Sequence, residues 1–272
     1  MDKKILTIQD ISCFGQCSLT VALPILSACG IETAVLPSAV LSNHTAFKEF
    51  TFCDLTDQMP SIRKSWENQE IGFSAVYTGY LGSTKQIDFV KDIMQSRLGK
   101  DGVRIVDPAM ADLGKLYTGF DQIYVEEMKE LCRSADIILP NITEACLLTG
   151  MPYKESFDKE YVEELIFALK KNFSAKIILT GVGVKTGTTG VAVYDGTNTE
   201  YYEHTKIGMG SHGTGDVFAS AFTGAYMHGK SIFEAAKIAA DFTVLCIKAT
   251  RPEHWYGVSF EKCLPDLINM LK

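Results

Sequence analysis

The stretch Gly213-Thr214-Gly215-Asp216-Val217-Phe218-Ala219-Ser220-Ala221-Phe222 decides how this chain is read. It follows a strand-like run from Thr199 to Ile207 and a small-residue turn, Gly208-Met209-Gly210-Ser211-His212. Two glycines without Cβ let backbone N–H groups converge on an anion, and the apolar run that begins at Val217 predicts a buried helix whose N-terminal dipole adds to that site. Asp216 then falls in the first helical turn. An acidic residue there is commonly a helix cap. Beside a bound phosphoryl group it is also a natural base for an attacking hydroxyl, so the stretch points to a kinase of a small alcohol.

The rest of the chain supplies a scaffold for such a site. Short aliphatic runs at Ile5–Ile8, Thr33–Leu36, Ala75–Tyr77, Val103–Val106, Ile137–Leu139 and Lys176–Thr180 read as strands. Helical patterns over 17–28, 84–96, 141–148 and 160–171 are interleaved with them. That alternation predicts an α/β fold with a central, mostly parallel sheet covered by helices on both faces. Ligands in such sheets lie at the carboxyl ends of the strands. Asp10 and Ser12, Tyr80, Asp107, Asn141 and Thr180 all fall there. A hairpin is expected over Thr189–Tyr202, turned at Asp195-Gly196, and three helical patterns over 213–228, 231–248 and 259–271 close the chain. The segment from 38 to about 60 reads as irregular. With no linker or repeat, a single domain over 1–272 is expected.

Composition excludes several classes. A net charge of −7 with no long basic run argues against nucleic-acid binding. The longest apolar stretch, Thr20–Leu41, is interrupted by Pro24, Gly30, Glu32 and Pro37, so no membrane span is expected. Eight scattered cysteines without a CxxC pair point to reduced thiols in a cytoplasmic protein.

Two familiar phosphate motifs have near matches. Gly181-Val182-Gly183-Val184-Lys185-Thr186 lacks the second glycine of a Walker A loop. Gly208-x-Gly210-x-x-Gly213 satisfies the dinucleotide pattern, but no acidic residue ends a strand about 20 residues later, so a NAD(P)-dependent oxidoreductase is the weaker alternative.

Gly-Thr-Gly-Asp before a late helix resembles the signature of the ribokinase superfamily. Gln9-Asp10-Ile11-Ser12, Ser42-Asn43-His44-Thr45, Thr78-Gly79-Tyr80-Leu81-Gly82, Asp107-Pro108-Ala109-Met110-Ala111-Asp112 and the run Pro140–Gly150 resemble, in matching order, the pyridoxal kinases. The resemblance covers nearly the whole chain. It implies a ribokinase-like three-layer sandwich that uses MgATP to phosphorylate the 5′-hydroxymethyl of pyridoxal, pyridoxine or pyridoxamine in vitamin B6 salvage. Asp216 would be the base and the amides of Gly213, Thr214 and Gly215 the anion hole. Ser12, Thr45, Tyr80 and His44 would hold the vitamer, with His44 also suited to tying its loop. Asp107, Asn141, Glu144 and Thr180 would meet ATP, and Asp107 and Glu144 its Mg²⁺. K⁺ as a monovalent cation and a homodimer are implied by the resemblance alone. Taken singly, Asn141 and Glu144 would be ordinary helix-cap residues and Asp107 a turn former.

The pattern departs from many pyridoxal kinases at Ser38-Ala39-Val40-Leu41 and at Ala111, which bears on pocket shape. A hydroxymethylpyrimidine kinase and a non-catalytic pyridoxal phosphate binder are the remaining alternatives.

Overall fold

The computed structural model describes residues 3–208 and 212–272. The expected turn at Met209-Gly210-Ser211 lies outside the described residues. In chain order the elements are β1 (Lys4–Ser12), α1 (Leu19–Ala28), β2 (Glu32–Leu41), β3 (Phe52–Asp54), α2 (Met59–Asn68), β4 (Phe73–Thr78), α3 (Thr84–Ser96) and β5 (Leu98–Val106). There follow β6 (Ala111–Asp112), β7 (Lys115–Leu116), α4 (Gln122–Arg133), β8 (Ile137–Ile138), α5 (Ile142–Thr149), α6 (Lys159–Asn172), β9 (Lys176–Thr180), β10 (Thr188–Tyr194) and β11 (Thr199–Thr205). The chain ends with α7 (Thr214–His228), α8 (Ile232–Ala249) and α9 (Leu264–Met270).

These elements form two compact units, one of residues 1–102 with 207–272 and one of residues 103–206. In the first, β1 pairs in parallel with both β2 and β4, and β3 is an antiparallel edge on β2. β1 is buried on both faces: Ile5, Leu6 and Ile8 as well as Thr7 and Gln9 have no solvent exposure. That is the pattern of a strand covered on both sides, as the sequence predicts. Helix α7 packs between α1 and α8, and its buried residues run without a break from Val217 to Ala225. A helix apolar all round has no solvent face, which makes it a rigid base for whatever its N-terminus holds.

In the second unit, β8 pairs in parallel with β5 and β9, while β10 and β11 extend the ladder antiparallel as the expected hairpin. The α/β class therefore holds, with a parallel core in each unit and antiparallel strands at its edge.

Some boundaries differ from the sequence reading, for identifiable reasons. Helix α1 starts at Leu19 because Ser18 takes φ 50° and ψ −129°, outside helical space. The segment from 38 to 60 is more ordered than expected: β2 continues to Leu41, β3 follows, and α2 begins at Met59 with Pro60 in its first turn, where a missing N–H costs nothing. The tail over 259–271 is shorter. A 3₁₀ turn at Glu261–Cys263 precedes α9, and Pro265 again sits in the first turn. No helix among the described residues is long and apolar enough to cross a membrane.

Phe222 is wholly buried on α7. Its truncation to alanine leaves a cavity in the helix that carries the glycine turn, and should cost about 3–5 kcal/mol in denaturant unfolding.

Candidate active site

The N-terminus of α7 is shaped by Gly213. This residue has φ +79°, and a Cβ on it would collide with the carbonyl oxygen of Gln16. Glycine is thus required twice over, by the left-handed backbone and by the close approach of the 13–17 segment. Gly215 differs: a Cβ there would enter open space. The amide end of this fifteen-residue helix is therefore uncrowded at Gly215, as an anion cradle must be.

Asp216 is the third residue of α7. Three other helices carry an acid at this place: Glu144 in α5 and Glu234 in α8 fold back to close a capping box with the residue before the helix, while Asp266 in the short α9 closes none. Asp216 closes none, since its N-cap is Gly213. The hydrogen-bond partner of its carboxylate is the backbone N–H of Ser18, at the start of α1. Burial of the carboxyl among protein atoms pushes its pKa up to about 7; the Ser18 amide opposes the shift and the charge of Asp10 adds to it. A carboxylate poised near neutrality suits a general base.

Asp10 lies at the carboxyl end of β1 and is itself buried. The β1–β2 register is interrupted there by a bulge, with Gln9 opposite Pro37 and Ile11 opposite Val40. Ser12, fully buried, donates its hydroxyl to Asp10 Oδ2 at 3.1 Å. Burial raises the Asp10 pKa, against hydrogen bonds from Ser18 and Ser12. Cys17 stands close by, its thiol held protonated by burial and by the charges of Asp216 and Asp10. Tyr80 is half-buried; burial first, then the charges of Asp10 and Asp54, raise the pKa of its phenol.

His44 is buried, and both its ring nitrogens are committed. The Ala46 N–H donates to Nδ1 at 3.3 Å, so Nε2 carries the proton and donates to the Tyr256 carbonyl at 2.9 Å. The same carbonyl accepts the Gln16 N–H at 3.2 Å. One backbone oxygen thus joins the loop after β1, the loop after β2 and the segment before α9. The ring of His212, next to Gly213, packs on His44 with centroids 4.1 Å apart and the planes tilted by 35°. His44 therefore ties its loop and leaves no nitrogen for a ligand. Thr45, its neighbour, is exposed.

The remaining sequence candidates lie in the second unit. Asn141 caps α5, accepting the Glu144 N–H at 2.9 Å and donating Nδ2 to the Ala111 carbonyl at 2.8 Å. Glu144 accepts the Asn141 N–H at 2.9 Å on one oxygen and the Met110 N–H at 3.1 Å on the other. Thr143 Oγ1 accepts the Gly114 N–H at 3.0 Å. The start of α5 is therefore a clamp on the loop that follows Asp107. Burial pushes Glu144 up to about 8, against those backbone amides. Thr180 ends β9, and its N–H donates to the Pro140 carbonyl at 2.9 Å. Asp107 is partly exposed at the end of β5, and its charge reaches the same thiol, Cys132, as that of Glu144.

Among the described residues no group of three or more His, Cys, Asp or Glu side chains is arranged to hold a metal. Both Glu144 oxygens already accept amides, so an ion would meet Glu144 through water. That fits Mg²⁺, which keeps several waters and takes much of its coordination from phosphate oxygens.

Of the residues singled out from sequence, Gly213–Asp216, Ser12, His44, Thr45 and Tyr80 lie in the first unit, and Asp107, Asn141, Glu144 and Thr180 in the second. Sequence reasoning left Asp10 without a role and missed Ser18 and Cys17. Ser18 directly before an apolar helical run reads as an N-cap; only its positive φ reveals the turn that brings it to the two aspartates.

The model of the phosphomethylpyrimidine kinase family matches residues 33–258. A crystal structure from Bacteroides thetaiotaomicron, of a candidate phosphomethylpyrimidine kinase in a form with pyridoxal, superposes with a TM-score of 0.91 at 39% identity, covering 98% of this chain and 96% of that one. Pyridoxal kinase from Lactobacillus plantarum gives 0.91 at 30% identity over 98% and 97%. Pyridoxal kinase of Dictyostelium discoideum is 27% identical over 240 residues, 82% of this chain and 78% of the relative.

Asn141→Ala removes both the cap and the bond to Ala111. It should cost about 1–2 kcal/mol in denaturant unfolding, with faster hydrogen exchange at the Met110 and Gly114 amides.

Proposed function

The chain belongs to the phosphomethylpyrimidine kinase family, within the ribokinase superfamily, and on that premise we propose that it phosphorylates the 5′-hydroxymethyl group of pyridoxal, pyridoxine or pyridoxamine with MgATP, in vitamin B6 salvage. It is an ATP-dependent phosphotransferase of the pyridoxal kinase kind. The family match runs through both units, which supports one kinase domain over 1–272. K⁺ activation and a homodimer belong to the same reading, on the resemblance alone.

One observation carries the assignment of the base. Asp216 occupies a capping position without capping, and burial lifts its pKa to about 7 in the first turn of a helix whose Gly215 backbone is uncrowded. In the proposed reaction Asp216 takes the proton of the acceptor hydroxyl as its oxygen attacks the γ-phosphorus. The bond from that phosphorus to the β-bridging oxygen breaks, and ADP leaves with the electron pair. The amides of Gly213, Thr214 and Gly215 face the charge that builds on the transferring group, where most catalysis of phosphoryl transfer resides. Ser12, Thr45 and Tyr80 would hold the vitamer, with His44 fixing the loop that bears Thr45. Asn141 and Thr180 would meet ATP. Mg²⁺, bound with ATP and reached by Asp107 and Glu144 through water, would neutralise phosphate charge.

The test is ADP release from MgATP with pyridoxal, pyridoxine, pyridoxamine and hydroxymethylpyrimidine offered separately. Turnover on the vitamers is expected, with Asp216→Asn lowering kcat roughly 10²–10⁴-fold. Turnover on the pyrimidine alone would instead favour the substrate for which the family is described. The pH profile has a defined sign. A base with a folded pKa of about 7 is protonated and idle below it, so kcat/KM should fall as pH drops through about 7 and level off above. The same shift makes ionised Asp216 destabilising: the unfolded carboxyl ionises near 3.8, so stability falls as pH rises from there towards 7. Asp216→Asn should therefore raise Tm at pH 8 while it lowers turnover by that factor.

A further inference from the structure

Asp10 is a buried carboxylate with a place in the site but no counter-ion. It is only 5% exposed to solvent. Among the described residues no lysine or arginine forms an ion pair with it. The groups that face it are Ser12 on β1, Cys17 and Ser18 before α1, His44 after β2, Tyr80 after β4 and Asp216 on α7. His44 contributes a weak attraction, and its ring nitrogens are already spent on backbone partners. Two carboxylates in one pocket repel each other, and a buried carboxylate lacking a cation is expensive to keep.

The surroundings are built to retain Asp10 nonetheless. Two serine hydroxyls are turned to it, from Ser12 and Ser18. Ser18 adopts φ 50°, costly for a residue with a Cβ, and does no side-chain capping for α1. The β1–β2 ladder gives up regular pairing at this point, and bulges commonly re-aim side chains beside active sites. These local departures from the ordinary converge on one unpaired negative group next to the base.

We propose that Asp10 is the acceptor-selecting residue of this pocket, and that it pairs with a cationic nitrogen of the substrate, either a protonated ring nitrogen or an ammonium arm. This rests on the vitamer kinase reading above and deepens it. The pocket then admits the hydroxymethyl acceptor in its positively charged form, and the acceptor supplies the counter-ion that the protein omits. Ser12, which donates its hydroxyl to Asp10, then orients that carboxylate as well as facing the vitamer.

Calorimetric titration of the whole protein with pyridoxine, pyridoxamine and the benzene-ring analogue of pyridoxine, which has no basic nitrogen, tests this. Asp10→Asn should weaken the cationic ligands about ten- to a hundredfold, the loss expected of a charge-assisted hydrogen bond, and leave the analogue unchanged. Weakening of both vitamers would place the contact at the ring nitrogen; weakening of pyridoxamine alone would place it at the ammonium arm. Asp10→Ser, which keeps a hydroxyl but no charge, should show the same loss of discrimination. Vitamer affinities within twofold of wild type in both variants would overturn the inference. So would equal weakening of the analogue, which would mark Asp10 as merely structural. Wild-type protein that binds no vitamer would bring down the proposed function itself. Vitamer binding that survives in Asp216→Asn with turnover lost keeps that function intact, so that the Asp10 variants then test the cation contact by itself.

Discussion

The cost of placing two desolvated carboxylates, Asp10 and Asp216, within reach of each other's charge is the constraint around which the first unit is arranged. Each carboxyl is pushed towards its neutral form by burial, and the charge of Asp10 pushes Asp216 further. Fixed dipoles oppose this: the Ser18 amide at Asp216, and the Ser12 and Ser18 hydroxyls at Asp10. A mobile donor would lose the contest with solvent reorganisation, so the donors must sit on backbone that cannot relax. The Tyr256 carbonyl, the Gly213–Gln16 approach and the buried run of α7 from Val217 to Ala225 supply that rigidity.

Acidic residues at one helical position serve opposite ends in this chain. Glu234 is exposed and closes its capping box, and that bonding holds its carboxyl below the usual range. Glu144 closes a box too, yet burial wins over its hydrogen bonds and its pKa rises. Asp216 closes none and is left for another task. The local sequence patterns are nearly the same; the difference lies in whether the preceding residue offers a side-chain acceptor and in what packs against the turn. Glycine at 213 removes the reciprocal partner of the box, and the dual use of a short acid follows.

This marks the limit of legibility from sequence. Helix α3 and strand β9 agree with their expected bounds because periodicity, Ser83 as a cap and flanking turns all agree locally. The glycine tetrad and the strand-end polar residues were legible for the same reason. Helix α4 was overlooked although its signals are as local, with Asp121 capping it at Tyr124 and Tyr124, Val125, Met128, Leu131 and Cys132 buried at helical spacing. Order within 38–60 depends on Gln86, whose buried amide reaches the Ser38 carbonyl, Asp54 and Thr56 from thirty and more residues away. No local pattern encodes a contact of that range.

Ser18 shows most clearly why part of a site stays hidden. By residue type it is a good N-cap, and it stands where an N-cap should. The fold instead forces it to a positive φ and turns its donors to the aspartates. Strain of this kind persists only where neighbours over-determine it, here through Cys17 packed beside both carboxylates and α1 anchored on α7. Relaxing it would favour the helix and release the carboxylates. Local helix capping and the hydrogen bonding of the two carboxylates therefore pull on the same residue in opposite directions, and Ser18 takes the conformation that serves the carboxylates.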